Sequence, residues 1–206
     1  EVPHEPRERT SFRKHTVNRR TLIAWGLCLT TAVQLMFLPS VLPNVFEGFN
    51  IESSIALKWA GMVVMLYTAT AMVGTYFLCK LATRIRSDRL IISVGALGIV
   101  LQSLLAISPG IVSFVAIRML QTAMVASILP LVFSMFASDL NGSVIGFLNS
   151  GRFGGNALAP MIGTSVLAFS SLSWLYHSIS SISLLMLLAF VLFFGRIEHS
   201  GSQSVN

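Results

Sequence analysis

Residues 143–169 read SVIGFLNSGRFGGNALAPMIGTSVLAF. The stretch is long enough to cross a bilayer, which needs about 20 mostly apolar residues, but it carries Asn149, Arg152 and Asn156. Whether it crosses decides between a chain of five spans and one of six. On a helix the three polar residues fall at i, i+3 and i+7, within about 60° of arc, and form one stripe. Beside the stripe Gly151, Gly155, Ala159 and Gly163 recur every fourth residue, a ridge of small side chains that lets another helix backbone approach closely. Pro160 sits within that ridge and predicts a kink. The ridge predicts a packing surface, or a hinge where helices slide.

Outward from this stretch the sequence offers five stronger windows: Thr21–Leu42, Leu57–Cys79, Leu90–Ser108, Ile111–Ala137 and Ser173–Gly195. The whole chain of 206 residues is 54% hydrophobic and 11% charged, against about 25% charge in an ordinary soluble domain. That balance excludes a soluble globular fold. The formal charge of +6 would suggest nucleic acid in a soluble protein, but the cations are confined to short segments, so no nucleic-acid partner is expected. Cys28 and Cys79 lie inside apolar windows and read as small core residues, without disulfide or zinc spacing.

Charge placement argues for six spans. Arg7, Arg9, Arg13, Lys14, Arg19 and Arg20 precede the first window, Lys80, Arg84, Arg86 and Arg89 follow the second, and Arg196 follows the last. With six spans all of these share one side, opposite Lys58, and the positive-inside rule places both termini in the cytoplasm. The expected organisation is a basic cytoplasmic linker over 1–20 held near anionic lipid headgroups, a six-helix bundle over 21–195 and a short polar tail over 196–206. Because the first residue is Glu1, the chain is expected to be a piece of something longer.

Ionisable groups inside a membrane are expensive and need a reason to be there. Arg118 in the fourth window shares a helical face with Gln121. It either snorkels or bonds to a neighbouring helix's carbonyls, or it faces a central water-filled cavity and attracts an anionic or polar group. Arg152 lies about two and a half turns from the cytoplasmic end of its window, so it either snorkels or joins Asn149 in lining a cavity. Gln34, followed by Pro39 and Pro43, supplies a polar group and two local irregularities. Tyr67, Thr68 and the serines at 178–183 are softer candidates, and His177 reads as interfacial. No Asp or Glu falls inside a window. No nucleotide loop, metal spacing or catalytic triad is present, so neither enzyme activity, nor a cofactor, nor a metal is expected.

Three features in order resemble one half of a major facilitator superfamily transporter. The break from Cys79 to Arg89 is similar to that family's G-x-L-x-D-R-x-G-R-K loop, with Cys79, Thr83 and Arg86 in place of glycine, aspartate and glycine, and with Arg84 and Arg89 keeping the basic character. Arg118-Met-Leu-Gln121 resembles the R-x-x-Q-G element, with Thr122 for glycine. The run Gly155 to Gly163 looks like the G-x-x-x-G-P-x-x-G antiporter motif, with Ala159 for the middle glycine.

The resemblance implies an all-α membrane protein whose six transmembrane helices form one half of a major facilitator superfamily-type bundle, closest to drug and metabolite exporters and better matched to the carboxy-terminal half. It implies alternating-access export of small organic molecules across the inner membrane, driven by an ion gradient. Its partners would be a small-molecule substrate, membrane lipid and a complementary six-helix half or a second copy of the chain. Gln34, Arg118, Gln121, Asn149 and Arg152 would bind substrate. Gly151, Gly155, Ala159, Pro160 and Gly163 would pack and slide at the interface of the halves, with Arg84 and Arg89 gating. The loss of aspartate at Thr83 also admits a six-span protein that acts as an assembly or regulatory partner without transporting.

Overall fold

The computed structural model describes residues 18–136 and 142–201, with side chains up to residue 194. Most of the expected linker, Asp139 and the side chain of Arg196 lie outside that set. The described residues form seven helical segments and no strand: α1 (Arg19–Gly48), α2 (Ser53–Leu81), α3 (Ser87–Leu105), α4 (Ile111–Val125), α5 (Ile128–Met135), α6 (Gly142–Phe169) and α7 (Leu172–Gly201). Five elements, with α4 and α5 counted as one, are long and apolar enough to cross a membrane. The polar stripe keeps α6 below that hydropathy, yet its 28 residues extend about 42 Å. Its packing shows what the composition obscures. Gly151 abuts Trp25, Gly155 abuts Leu29 and Gly163 abuts Phe37, so α6 runs parallel to α1 over most of its length.

Arg20 at the start of α1 stacks over Phe136 and Phe194, each 5.3 Å from its guanidinium carbon. Ser87 at the start of α3 meets Ser134 of α5. The first residues of α1 and the last described side chains of α7 therefore share one end of the bundle, together with the Arg84, Arg86 and Arg89 loop. Between these two points the chain runs along the bundle an even number of times. The loop is tied by a 2.8 Å ion pair from Arg86 to Asp88, whose carboxylate also suits the first turn of α3.

Several boundaries differ from the sequence windows. Helix α1 continues past Leu42 and through both prolines to Gly48, because Val45 and Phe46 remain buried in the core. It is closed by Asn50 in the left-handed region at φ 62°, which asparagine tolerates. The fourth window is broken at Ala126–Ser127. Pro130 lacks an N–H and its ring crowds the carbonyl of Ala126, so α4 ends there and proline occupies the first turn of α5. Helix α7 extends to Gly201, past the expected start of the tail.

Two apolar clusters fill the bundle. One, around Phe37, Phe46, Phe114 and Tyr176, lies towards the α1–α2 turn. The other, around Cys28, Ile91, Val132, Leu148 and Phe190, lies towards the arginine-rich end. Close backbone approach sets the pairing of α2 with α4, since a Cβ on Gly74 would collide with the Ala123 backbone. Backbone cannot swing aside as a side chain can. Gly74→Val should therefore cost about 3 kcal/mol or more, read as a lower melting temperature in mild detergent. Gly61, which faces open space, should accept alanine with little change.

Candidate functional site

Between the two apolar clusters lies a layer of polar side chains. Thr30, Thr31 and Gln34 of α1, Gln102 of α3, Arg118, Gln121 and Thr122 of α4, and Ser180 and Ser183 of α7 are all buried. The layer is near the middle of α1 and α4 and in the last turn of α3. Arg118 is its centre and is 0% exposed.

A buried guanidinium survives only if its donors are used and its charge is offset. Arg118 Nη1 donates to Gln121 Oε1 and to the Gln34 carbonyl, and Nη2 donates to the Leu35 carbonyl at 2.8 Å. The faces of Phe37 and Tyr67 lie 5.6 and 5.0 Å from its central carbon, within cation–π range. Gln121 passes the chain on, donating through Nε2 to Gln102 Oε1 at 2.6 Å. Gln34 Nε2 reaches the Gly98 carbonyl at 3.4 Å. The layer thus ties α1, α3 and α4 to one another.

The bond to Leu35 has a cause in the sequence. In a helix the carbonyl of residue 35 is served by the N–H of residue 39, and residue 39 is proline. Pro39 leaves that carbonyl without its donor in the middle of the bundle, and Arg118 supplies one. Within a membrane an unserved carbonyl is costly, so the proline and the arginine compensate each other. Pro39 is the signal from which this contact could have been found.

The structure divides the expected site residues into separate groups. Gln34, Arg118 and Gln121 come together, joined by Gln102, which sequence reasoning did not single out although it is the lone amide of α3. Of the two readings open for Arg118, the bond to a neighbouring helix's carbonyls is the one seen in this conformation, where α1 offers it carbonyls and aromatic faces. Asn149 and Arg152 do not join the layer. Arg152 is exposed and Asn149 half-buried on the outer side of α6. Gly151, Gly155, Ala159 and Gly163 are buried as a ridge, but the surface they meet is α1 of this same chain. Pro160 is exposed beside the ridge, and Arg84 and Arg89 are exposed in and beyond the loop after α2. Trp25 fastens the same pair of helices, donating to Ser150 Oγ at 3.0 Å and stacking on Phe147.

Among the described residues no group of acidic, histidine or cysteine side chains could hold a metal ion. Comparison with known protein families and with curated proteins finds no match. What the chain itself defines is an all-helical bundle with five helices long and apolar enough to span a membrane, joined across its centre by a buried arginine network.

Proposed function

We propose that the chain is one six-helix half of a secondary active transporter that exports small organic molecules by alternating access across the cytoplasmic membrane, with both termini inside. The observation that carries this reading is the pattern of helix neighbours. Number the spans one to six, with α4 and α5 together as the fourth, α6 as the fifth and α7 as the sixth. Exchange of the first three with the last three turns the pair α1/α6 into α4/α2 and α1/α7 into α4/α3, and leaves α3/α7 as itself. These are the most extensive pairings in the bundle. A fold built from two inverted three-helix repeats has this property, and such repeats are typical of transporters.

Exposure supports the same reading. Helix α2 buries only Ala56, Ala60, Val63 and Tyr67, so nothing in its second half is enclosed. The outer side of α6, with Arg152, Phe153, Pro160 and Thr164, is open as well. These two faces suit a complementary half, and the stripe of Asn149, Arg152 and Asn156 would then face the space between halves. A second reading, an assembly partner that does not transport, is favoured by the loop after α2. Thr83 stands where a clasping carboxylate would be, and its hydroxyl only donates back to Lys80.

Reconstitution into vesicles with the complementary half should give efflux that depends on an imposed ion gradient. Binding of that half without efflux would select the assembly role instead. A chain that assembles as a dimer in mild detergent and transports alone would make a second copy the partner.

A further inference from the structure

The central layer holds polar atoms that its own hydrogen bonds leave unserved. Arg118 Nε, Gln102 Nε2 and the hydroxyls of Tyr67, Tyr176 and Ser180 are all enclosed without a hydrogen-bond partner. Every one of these groups can donate, and two of them can do nothing else. They come from four different helices. The Tyr67 ring lies 5.0 Å from the guanidinium carbon, and its hydroxyl is enclosed without a partner. Tyr176 packs edge-on to Phe37 at 5.9 Å, and Phe37 faces the same guanidinium. Ser180 follows one turn later on the face of α7 that carries Tyr176.

The charge, too, lacks a counterpart. Arg118, Tyr67 and Tyr176 are 0%, 4% and 3% exposed, while Glu47, Glu52 and Asp88 sit at helix ends, far from the layer along their helices. Carbonyl dipoles and aromatic faces offset part of a full positive charge at this depth, but none of them carries the opposite sign. An occupant that accepts without donating, and that bears one negative charge, would serve these unpartnered donors and offset the charge together. We propose that Arg118 Nε and the hydroxyls of Tyr67 and Tyr176 form a buried site for one small monovalent anion of about the size of chloride. The assignment concerns binding and stability alone, so it stands or falls separately from the transport reading.

The full chain, purified in mild detergent, is melted at constant ionic strength while sodium gluconate is replaced by chloride, bromide or acetate. Chloride and bromide should raise the melting temperature by about 3 °C in a saturable way, and the bulky gluconate should not. An equal effect of acetate also supports the site and shows that it accepts a carboxylate group. Tyr67→Phe and Tyr176→Phe keep the rings and remove one donor each, and each should weaken the chloride effect about tenfold. Equilibrium binding of radiolabelled chloride to the unaltered chain, which needs no variant, should approach one ion per chain. Identical melting in all four salts, no bound chloride, or a halide effect unchanged in both phenylalanine variants would overturn the proposal and leave the layer filled by water.

Discussion

Gly155→Leu is expected to abolish the folded bundle or to lower its stability by about 3–5 kcal/mol, the largest effect of any single substitution in α6. A Cβ at this position would run into the Leu29 carbonyl oxygen and lie 2.7 Å from the Ala32 Cβ. The first is backbone of α1 and the second is a Cβ fixed to it, so relief requires α1 and α6 to separate. Separation would also strip Trp25 from Ser150 and expose the Gly151 and Gly163 contacts. The adjacent glycine gives the control. At Gly154 the nearest atom to an added Cβ is Leu29 Cδ1 at 4.0 Å, an ordinary contact with a movable group. Gly154→Ala should be neutral, or gain up to about 1 kcal/mol from helix propensity. Melting of the two variants in detergent separates the cases: a Gly155→Leu protein as stable as the Gly154→Ala protein would mean that α6 does not dock on α1 through this ridge.

The ridge illustrates how far sequence alone reached. Small residues at every fourth position are legible because van der Waals packing between membrane helices demands close approach, and the spacing is local. Which helix makes that approach is not local. The sequence resemblance pointed to the interface between halves; within the chain Gly151, Gly155 and Gly163 meet Trp25, Leu29 and Phe37. Six long elements were legible for the same reason as the ridge, since hydropathy, turns such as Pro109-Gly110 and the segregation of arginines to one end all act over short stretches. Arg118 and Gln121 were singled out by polarity at helical spacing, and the structure joins them. Gln102 and the Leu35 carbonyl were not found, because a partner on α3 or on the backbone of α1 leaves no mark in the spacing of α4. The break at Ala126–Ser127 could have been read from Pro130, but a hydropathy window averages over a single proline.

The pairing of Pro39 with Arg118 predicts a coupling that can be measured directly. Arg118→Met removes the charge and the donors while keeping much of the volume, and it leaves the Leu35 carbonyl and Gln121 Oε1 without their partner. The loss should be about 2–4 kcal/mol, since relief of the buried charge only partly offsets two buried acceptors left unmet. Pro39→Ala alone should change stability little. It returns the N–H that serves Leu35, and the carbonyl can accept from both residue 39 and Arg118. In the double variant, alanine at residue 39 supplies the donor that methionine at residue 118 cannot. Pro39→Ala should therefore recover about 1–2 kcal/mol of the loss caused by Arg118→Met, a coupling far larger than that of unrelated sites. Pro43→Ala provides the comparison, because the carbonyl it would serve is that of residue 39 and not the one Arg118 reaches. Equal rescue by both proline substitutions would mean that a straighter α1 is the benefit. Rescue by Pro39→Ala alone would mean that Arg118 replaces one missing backbone donor, and that its burial follows from the proline four residues beyond Leu35.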